Sequence, residues 1–359
     1  LALNDAPRVA WSDNVGEGDD DDAALLAQPI VVGDAVFAMD SRSIVTARRQ
    51  SSGDAFWETD LEPEEEDDGF FGGGIAFADG QLFVTTGFGS VFALDGSSGA
   101  VLWEQKLPAP IRAAPTVSGG RVFVITLDNQ AYALAAADGR RLWDHSGITE
   151  VASLLGTTSP AVAGGTVIVA YTSGEIYALQ VENGREIWSD SLAAVRRTDP
   201  LADISQIRGL PVIDRGLVYV VSHAGRTVAI DLRRGSRVWE SGVGGTQTPW
   251  AAGDYLFMVT NEGTLLAVTR EEGAVRWATQ LPQWEDPEDL EDPITWYGPV
   301  LASDRLVIAG SHGEAYAVSP YTGEILGVVD LPGGAAMAPI VANNTLYFVS
   351  QDADLVAMR

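Results

Sequence analysis

Apolar and polar residues alternate in short bursts along this chain, and the bursts come in groups. In one group, Val122-Phe123-Val124-Ile125, Gln130-Ala131-Tyr132-Ala133-Leu134 and Arg141-Leu142-Trp143 are split by Asp128-Asn129 and Asp138-Gly139. Runs of β-branched and aromatic residues bounded by such dipeptides predict short strands joined by tight turns. Helical periodicity is almost absent, so the class is all-β. The group then recurs as an apolar strand with a central Ala, a turn, a Gly, and a Trp four residues later. The clearest copies are Phe92-Ala93-Leu94 with Gly99 and Trp103, Tyr132-Ala133-Leu134 with Gly139 and Trp143, and Tyr177-Ala178-Leu179 with Gly184 and Trp188. Val228-Ala229-Ile230 with Gly235 and Trp239, and Leu266-Ala267-Val268 with Gly273 and Trp277, complete the clear set. The Gly supplies the positive φ of a tight turn, and the Trp is expected to fill the space between units.

The Trp residues at the repeat position, from Trp57 to Trp277, stand 38 to 51 residues apart in succession. A propeller blade of four short strands takes roughly 40–50 residues, so each unit predicts one blade. Weaker copies lie at both ends. Val45-Thr46-Ala47 precedes Gly53 and Trp57, whereas Tyr316-Ala317-Val318 precedes Gly323 but carries Gly327 at the Trp position. Val356-Ala357-Met358 has no Gly-Trp strand after it, and Val9-Ala10-Trp11 has no strand before it. The two halves predict an eight-bladed β-propeller of four-stranded antiparallel blades, its ring closed by the N-terminal strand, which pairs an otherwise adhesive edge. The expected domain spans residues 1–359, with the closing strand near Trp11 inside an N-terminal segment 1–30.

A length of 359 residues would otherwise suggest two or more domains; the repeat overrides that. No run approaches the ~18–20 apolar residues of a membrane-spanning helix. There is no cysteine, hence no disulfide, thiolate metal site or Cys nucleophile. The chain begins with Leu1 and shows no signal peptide, as expected of a processed or trimmed chain. The net charge is −28, with Lys106 the only lysine. Such a chain is repelled by nucleic acid and by anionic membranes. Acidic runs at Glu17 to Asp22, Glu62 to Asp68 and Glu285 to Asp292 read as solvated loops; none has the spaced Asp-x-Asp-x-Asp-Gly pattern of a Ca²⁺ loop.

Catalytic signals are few. His223 and His312 occupy related repeat positions, in Ser222-His223-Ala224-Gly225 and Ser311-His312-Gly313-Glu314. They are either turn residues repeated with the blade, or a pair lining a channel or binding metal. No nucleophile elbow, zinc-protease helix or Walker loop occurs. Gly72-Gly73-Gly74 precedes a strand, whereas a phosphate cradle needs a helix N-terminus. Trp250, Trp284 and Trp296 lie off the repeat position, the last two flanking the acidic insertion. They are either exposed binding anchors or rings that pin a long loop.

The Tyr-Ala-Leu…Gly-x-x-x-Trp unit resembles the propeller repeat of pyrroloquinoline quinone (PQQ) enzymes. Within that class the chain resembles the BamB family of outer-membrane assembly lipoproteins over nearly its whole length. The resemblance is carried by Leu201 to Ile213, by Ala229-Ile230-Asp231-Leu232-Arg233-Arg234-Gly235, and by the segments Gly245 to Trp250 and Pro287 to Pro293, which look like its alphaproteobacterial branch. It implies a non-enzymatic, cofactor-free scaffold on the periplasmic side of the outer membrane of a Gram-negative bacterium. The scaffold would be held there by an N-terminal lipidated Cys that this chain lacks. It further implies docking on the POTRA domains of BamA through two loops; capture of unfolded β-barrel proteins, by exposed blade edges or the Trp284–Trp296 loop, belongs to the peptide-binding alternative. The loops correspond here to Ala152, Ser153, Leu154, Leu155 and Gly156, and to Ser205, Gln206, Ile207 and Arg208. The family's first loop ends in Arg where this chain has Leu155; the second has two Asp where it has Gln206 and Arg208. A monomer is expected. The alternatives are a PQQ-dependent dehydrogenase, whose adjacent pocket cysteines this chain cannot supply, and a general periplasmic peptide-binding propeller.

Overall fold

In the computed structural model, which describes residues 7–19, 23–63, 70–148, 158–192 and 207–359, the strands form eight four-stranded antiparallel sheets. Blades 1 to 7 occupy residues 30–60, 73–106, 116–146, 161–191, 212–241, 250–280 and 296–330. Blade 8 takes three strands from the C-terminal end, Ile340–Ala342, Thr345–Val349 and Asp354–Met358, and its fourth, Val9–Asn14, from the other end of the chain. Val9 pairs with Met358 and Asn14 with Asp354, so the ring closes as the sequence predicts.

The first strands of neighbouring blades approach one another and surround the centre. The middle two strands are buried on both faces, as in Gln81–Thr86 and Ser90–Asp95 of blade 2. This is why they read as continuous apolar runs rather than as strict alternation. The fourth strands form the rim, where exposed positions dominate, as in Val101–Lys106.

Blades are joined by a repeated clamp. Each rim Trp lies against the turn between the third and fourth strands of the next blade. Its indole donates to a turn carbonyl there: Trp57 to Gly96, Trp103 to Ala136, Trp143 to Val181, Trp188 to Leu232, Trp239 to Arg270 and Trp277 to Pro320, at 2.7–3.2 Å. Trp11 continues the series across the closure, donating to Gln50 at 2.9 Å. The turn glycine lies under the ring of the preceding blade, so Gly99 meets Trp57 rather than its own Trp103. A Cβ on Gly99 would stand 2.5 Å from that ring, and its φ is +73°. Both conditions select glycine. A Trp ring buries roughly 150–250 Å², on the order of 4–6 kcal/mol at ~25 cal/mol per Å² as an upper bound. The indole hydrogen bond adds a net ~0.5–1.5 kcal/mol. Packing therefore supplies most of the clamp, and the hydrogen bond sets the ring's orientation.

Arg48 in blade 1 secures the closing strand. Its buried guanidinium pairs with the Asp13 carboxylate and donates to the carbonyls of Asn14 (2.7 Å) and Gly53 (3.2 Å). Two short elements lie outside the blades: a parallel pairing of Ala23–Ala24 with Phe70–Phe71, and an antiparallel pairing of Trp284–Asp286 with Glu291–Pro293.

Candidate partner-binding face

Of the residues expected to bind a partner, Ala152, Ser153, Leu154, Leu155, Ser205 and Gln206 lie outside the described residues, as does Gly156. Ile207 and Arg208 mark where the second loop rejoins the ring. Ile207 forms an isolated antiparallel bridge with Ser222. Its side chain is fully buried between blades 4 and 5, with Ile168, Ala178, Leu192 and Val220. Its role at this face is therefore to anchor the loop. Arg208, the next residue, is exposed. The chain then turns close to blade 6: a Cβ on Gly209 would lie 2.6 Å from the Gln247 carbonyl oxygen, and the Leu210 amide donates to Thr248 Oγ1 at 3.0 Å.

Arg208 thereby reaches the mouth of the central channel. A cavity of about 210 Å³ opens there, lined by Arg112, Arg208, Ser159, Thr246, Gln247, Thr248 and Tyr297, with Leu25, Gln28 and Ala338 among the remaining walls. These residues sit at or just before the first strand of their blades, so the ring itself brings them together. Burial holds the Arg112 guanidinium below the usual arginine range. Burial also raises the Tyr297 hydroxyl; Asp19 pushes it further up and Arg208 pulls it down, which places both charges within electrostatic reach of that hydroxyl. In a chain of net charge −28, two guanidinium groups at one mouth form a local cationic feature. Of the charged and aromatic residues lining this cavity, Arg208 is named as a candidate from the sequence, and Arg112 and Tyr297 are not. The available signal was their repeat-equivalent position at the start of an inner strand.

Of the other candidates, Trp296 and His312 are taken up in packing. Trp296 is buried between blades 6 and 7, donates to the Pro282 carbonyl at 2.8 Å and meets Tyr316 edge-on at 4.9 Å, so it pins the insertion. The Trp284 hairpin carries Glu285 to Asp292 outward and exposed, as solvated charge. Trp250 is 38% exposed at the start of an inner strand. His312 packs against Trp296, with Nε2 3.1 Å from Glu314 Oε2. The His223 carbonyl accepts from Asn261. Among the described residues, no group of three or more His, Cys, Asp or Glu side chains is placed to hold a metal ion. A Cβ on Gly72 or Gly74 would stand within 2.7 Å of Arg112 or Ala114, so that glycine run serves close packing of blade 2 on blade 3.

Comparison with known proteins agrees with this architecture. The family model described as outer membrane protein assembly factor BamB matches residues 50–279 and 282–359. The outer membrane protein assembly factor BamB of Yersinia pestis is 26% identical over 358 residues, covering 98% of this chain and 88% of that protein. An uncharacterized protein of Rickettsia conorii is 31% identical over 269 residues, covering 74% of this chain and 65% of that protein. The crystal structure of BamB from Moraxella catarrhalis superposes with a TM-score of 0.83 at 22% identity, covering 99% of this chain and all (100%) of that one. The match runs through the repeat units and the C-terminal strands of the split eighth blade alike, and the chain belongs to the BamB family of outer membrane protein assembly factors, a family of assembly factors and not of enzymes.

Proposed function

We propose that this protein is a non-enzymatic scaffold of the outer-membrane protein assembly machinery, acting on the periplasmic side of that membrane. In this reading it docks on the POTRA domains of BamA through the face bearing the 152–156 and 205–208 loops, and so assists insertion of β-barrel proteins. A lipid anchor holds it at the membrane, and it acts as a monomer. The observation that carries the reading is the family match across nearly the whole ring. The exposed Arg208 at the channel mouth, next to a fully buried Ile207, supports the choice of face. The described part of the loop is built as a contact should be: a rigid anchor and, beside it, a charged group free to meet a partner's acceptors.

The test is a calorimetric titration of the chain with POTRA domains from the same organism. Wild-type protein should bind, and Arg208→Glu combined with Leu154→Asp should weaken binding by at least about tenfold, or ~1.4 kcal/mol. Circular dichroism should show an unchanged fold for the Arg208→Glu single variant, since Arg208 is exposed, and serves as the fold control for the double variant. Failure of the wild type to bind would remove this reading.

A further inference from the structure

The connection that leaves each rim strand begins by one rule, and blade 3 breaks it. Leu61, Leu107, Leu192, Leu281 and Leu331 each directly follow a rim strand, and each is 6% exposed or less. Leu107, Leu192, Leu281 and Leu331 donate their amides to a glycine carbonyl in the turn between the second and third strands of the same blade, at 2.8–3.0 Å. Gly147 makes the same hydrogen bond, to Asn129 at 2.8 Å, and so stands where those blades carry leucine. The space is filled from the other side of the seam, by Tyr171 of blade 4. A Cβ on Gly147 would run into that ring. Tyr171 is fully buried. Its position is held by Asp, Ser, Thr or Gly in every other blade, as at Thr126, Ser222 and Thr260.

This exchange of large for small leaves the next apolar residue, Ile148, outside. It is 62% exposed, more than any other described Ile, Leu or Val. Its backbone is nonetheless fastened on both sides. The amide donates to Glu175 Oε2 of blade 4 at 2.7 Å, and the carbonyl accepts from Asn129 Nδ2 of blade 3 at 2.8 Å. Those two side chains are held in turn. Glu175 also accepts from the Tyr177 hydroxyl at 2.9 Å and from Ser173 Oγ at 3.1 Å. Asn129 is 1% exposed, and its Oδ1 accepts from the amide and the hydroxyl of Thr172, at 3.2 and 2.9 Å. Fixing the backbone of an exposed aliphatic residue adds nothing to the core. It does remove part of the ordering cost that a contact with another molecule would meet.

We infer that Ile148 is an apolar anchor of the partner-binding face, and that it enters an apolar socket edged by Lys or Arg on the POTRA domains. The inference rests on the docking proposed above; Ile148 opens the same connection that carries residues 152–156. Anchors that fill a desolvated pocket dominate the energy of an interface. The charges that act on the His145–Tyr171 pair beside Ile148 are the carboxylates of Glu175, Glu186, Asp144 and Asp128. A basic edge around the socket complements them.

The test is a calorimetric titration of the full chain with POTRA domains from the same organism, with Tm read on each variant. Ile148→Ala should weaken binding at least about fivefold and move Tm by less than about 2 °C. Ile148→Met keeps the apolar bulk and should bind within about twofold of wild type. Wild-type binding should weaken as NaCl rises from about 50 to 300 mM. If the wild type binds and Ile148→Ala loses less than about fivefold, the inference falls and the docking stands. A larger Tm loss in Ile148→Ala would also overturn it, because the residue would then pack within its own chain. So would Ile148→Met binding as weakly as Ile148→Ala, and binding that tightens with salt would overturn the basic edge. Absence of wild-type binding would remove the docking itself and the inference with it.

Discussion

Glycine at the clamp is selected by two constraints that other turn glycines meet only singly. Gly99 has φ +73° and an indole 2.5 Å from where its Cβ would be, whereas Gly119 has φ +57° and open space around it. Gly119→Ala should therefore cost only the left-handed backbone penalty, about 1–2 kcal/mol. Gly99→Ala should cost that plus overpacking, a further ~1–3 kcal/mol. Urea unfolding midpoints compare the two directly. A second residue-scale expectation concerns pH. The His145 ring lies parallel to that of Tyr171 with centroids 6.0 Å apart, and its Nδ1 is 2.9 Å from the hydroxyl. Burial depresses the His145 pKa below its ordinary 6.5, against the opposing pull of Glu186, Glu175 and Asp144. The unfolded chain then takes up a proton that the folded ring refuses. Stability falls as pH drops through 6.5 and levels off below the depressed folded value. The Tm loss between about pH 7.5 and 5.5 should be smaller in His145→Gln, as thermal scans at matched ionic strength would show.

At the scale of elements, the clamp decides how blades hold together. Trp143 is buried and donates to Val181 in the next blade. Trp143→Phe keeps most of the apolar contact and loses the hydrogen bond, so about 1 kcal/mol is expected. Trp143→Ala removes the ring and should cost ~3–5 kcal/mol. Similar losses for the two variants in chemical denaturation would show that the hydrogen bond, not packing, carries the seam. The blades themselves were legible in sequence because each is a local pattern: strands, turns and the Gly-x-x-x-Trp rim follow one another within some tens of residues. The identity of the clamp's partner was not. Gly99 and Trp103 are neighbours in sequence, yet Gly99 serves Trp57, and only the docking of one blade on the next reveals it. The off-repeat aromatics were ambiguous for the same reason. Trp296 and Trp284 look alike in sequence, but one closes the core between blades 6 and 7 and the other sits on an outlying hairpin.

At the scale of the whole molecule, a net charge of −28 on a closed ring is a self-repelling arrangement. Raising NaCl from about 10 to 150 mM shortens the Debye length from ~30 to ~8 Å. The expected outcome is a rise in Tm across that range, measured at fixed pH; a falling Tm would mean that ion pairs such as Arg237 with Asp190 outweigh the repulsion. The acidic surround also gives the channel mouth its meaning. Arg112 and Arg208 come from blades separated by nearly a hundred residues of sequence, and ring closure alone places them around one cavity.

The sequence by itself determined the blade count, the strand order within a blade and the split eighth blade, because these depend on periodicity and on what each end of the chain lacks. It also carried the family resemblance. The tertiary structure decided which residues meet across seams and at the centre: Arg112 beside Arg208 in the channel mouth, Ile207 as a buried anchor, and Tyr171 against Gly147 at the seam between blades 3 and 4. The physical reason is that a repeat specifies each blade's own pairing locally, while contacts between blades join residues about one repeat or more apart, whose meeting exists only once the ring has closed.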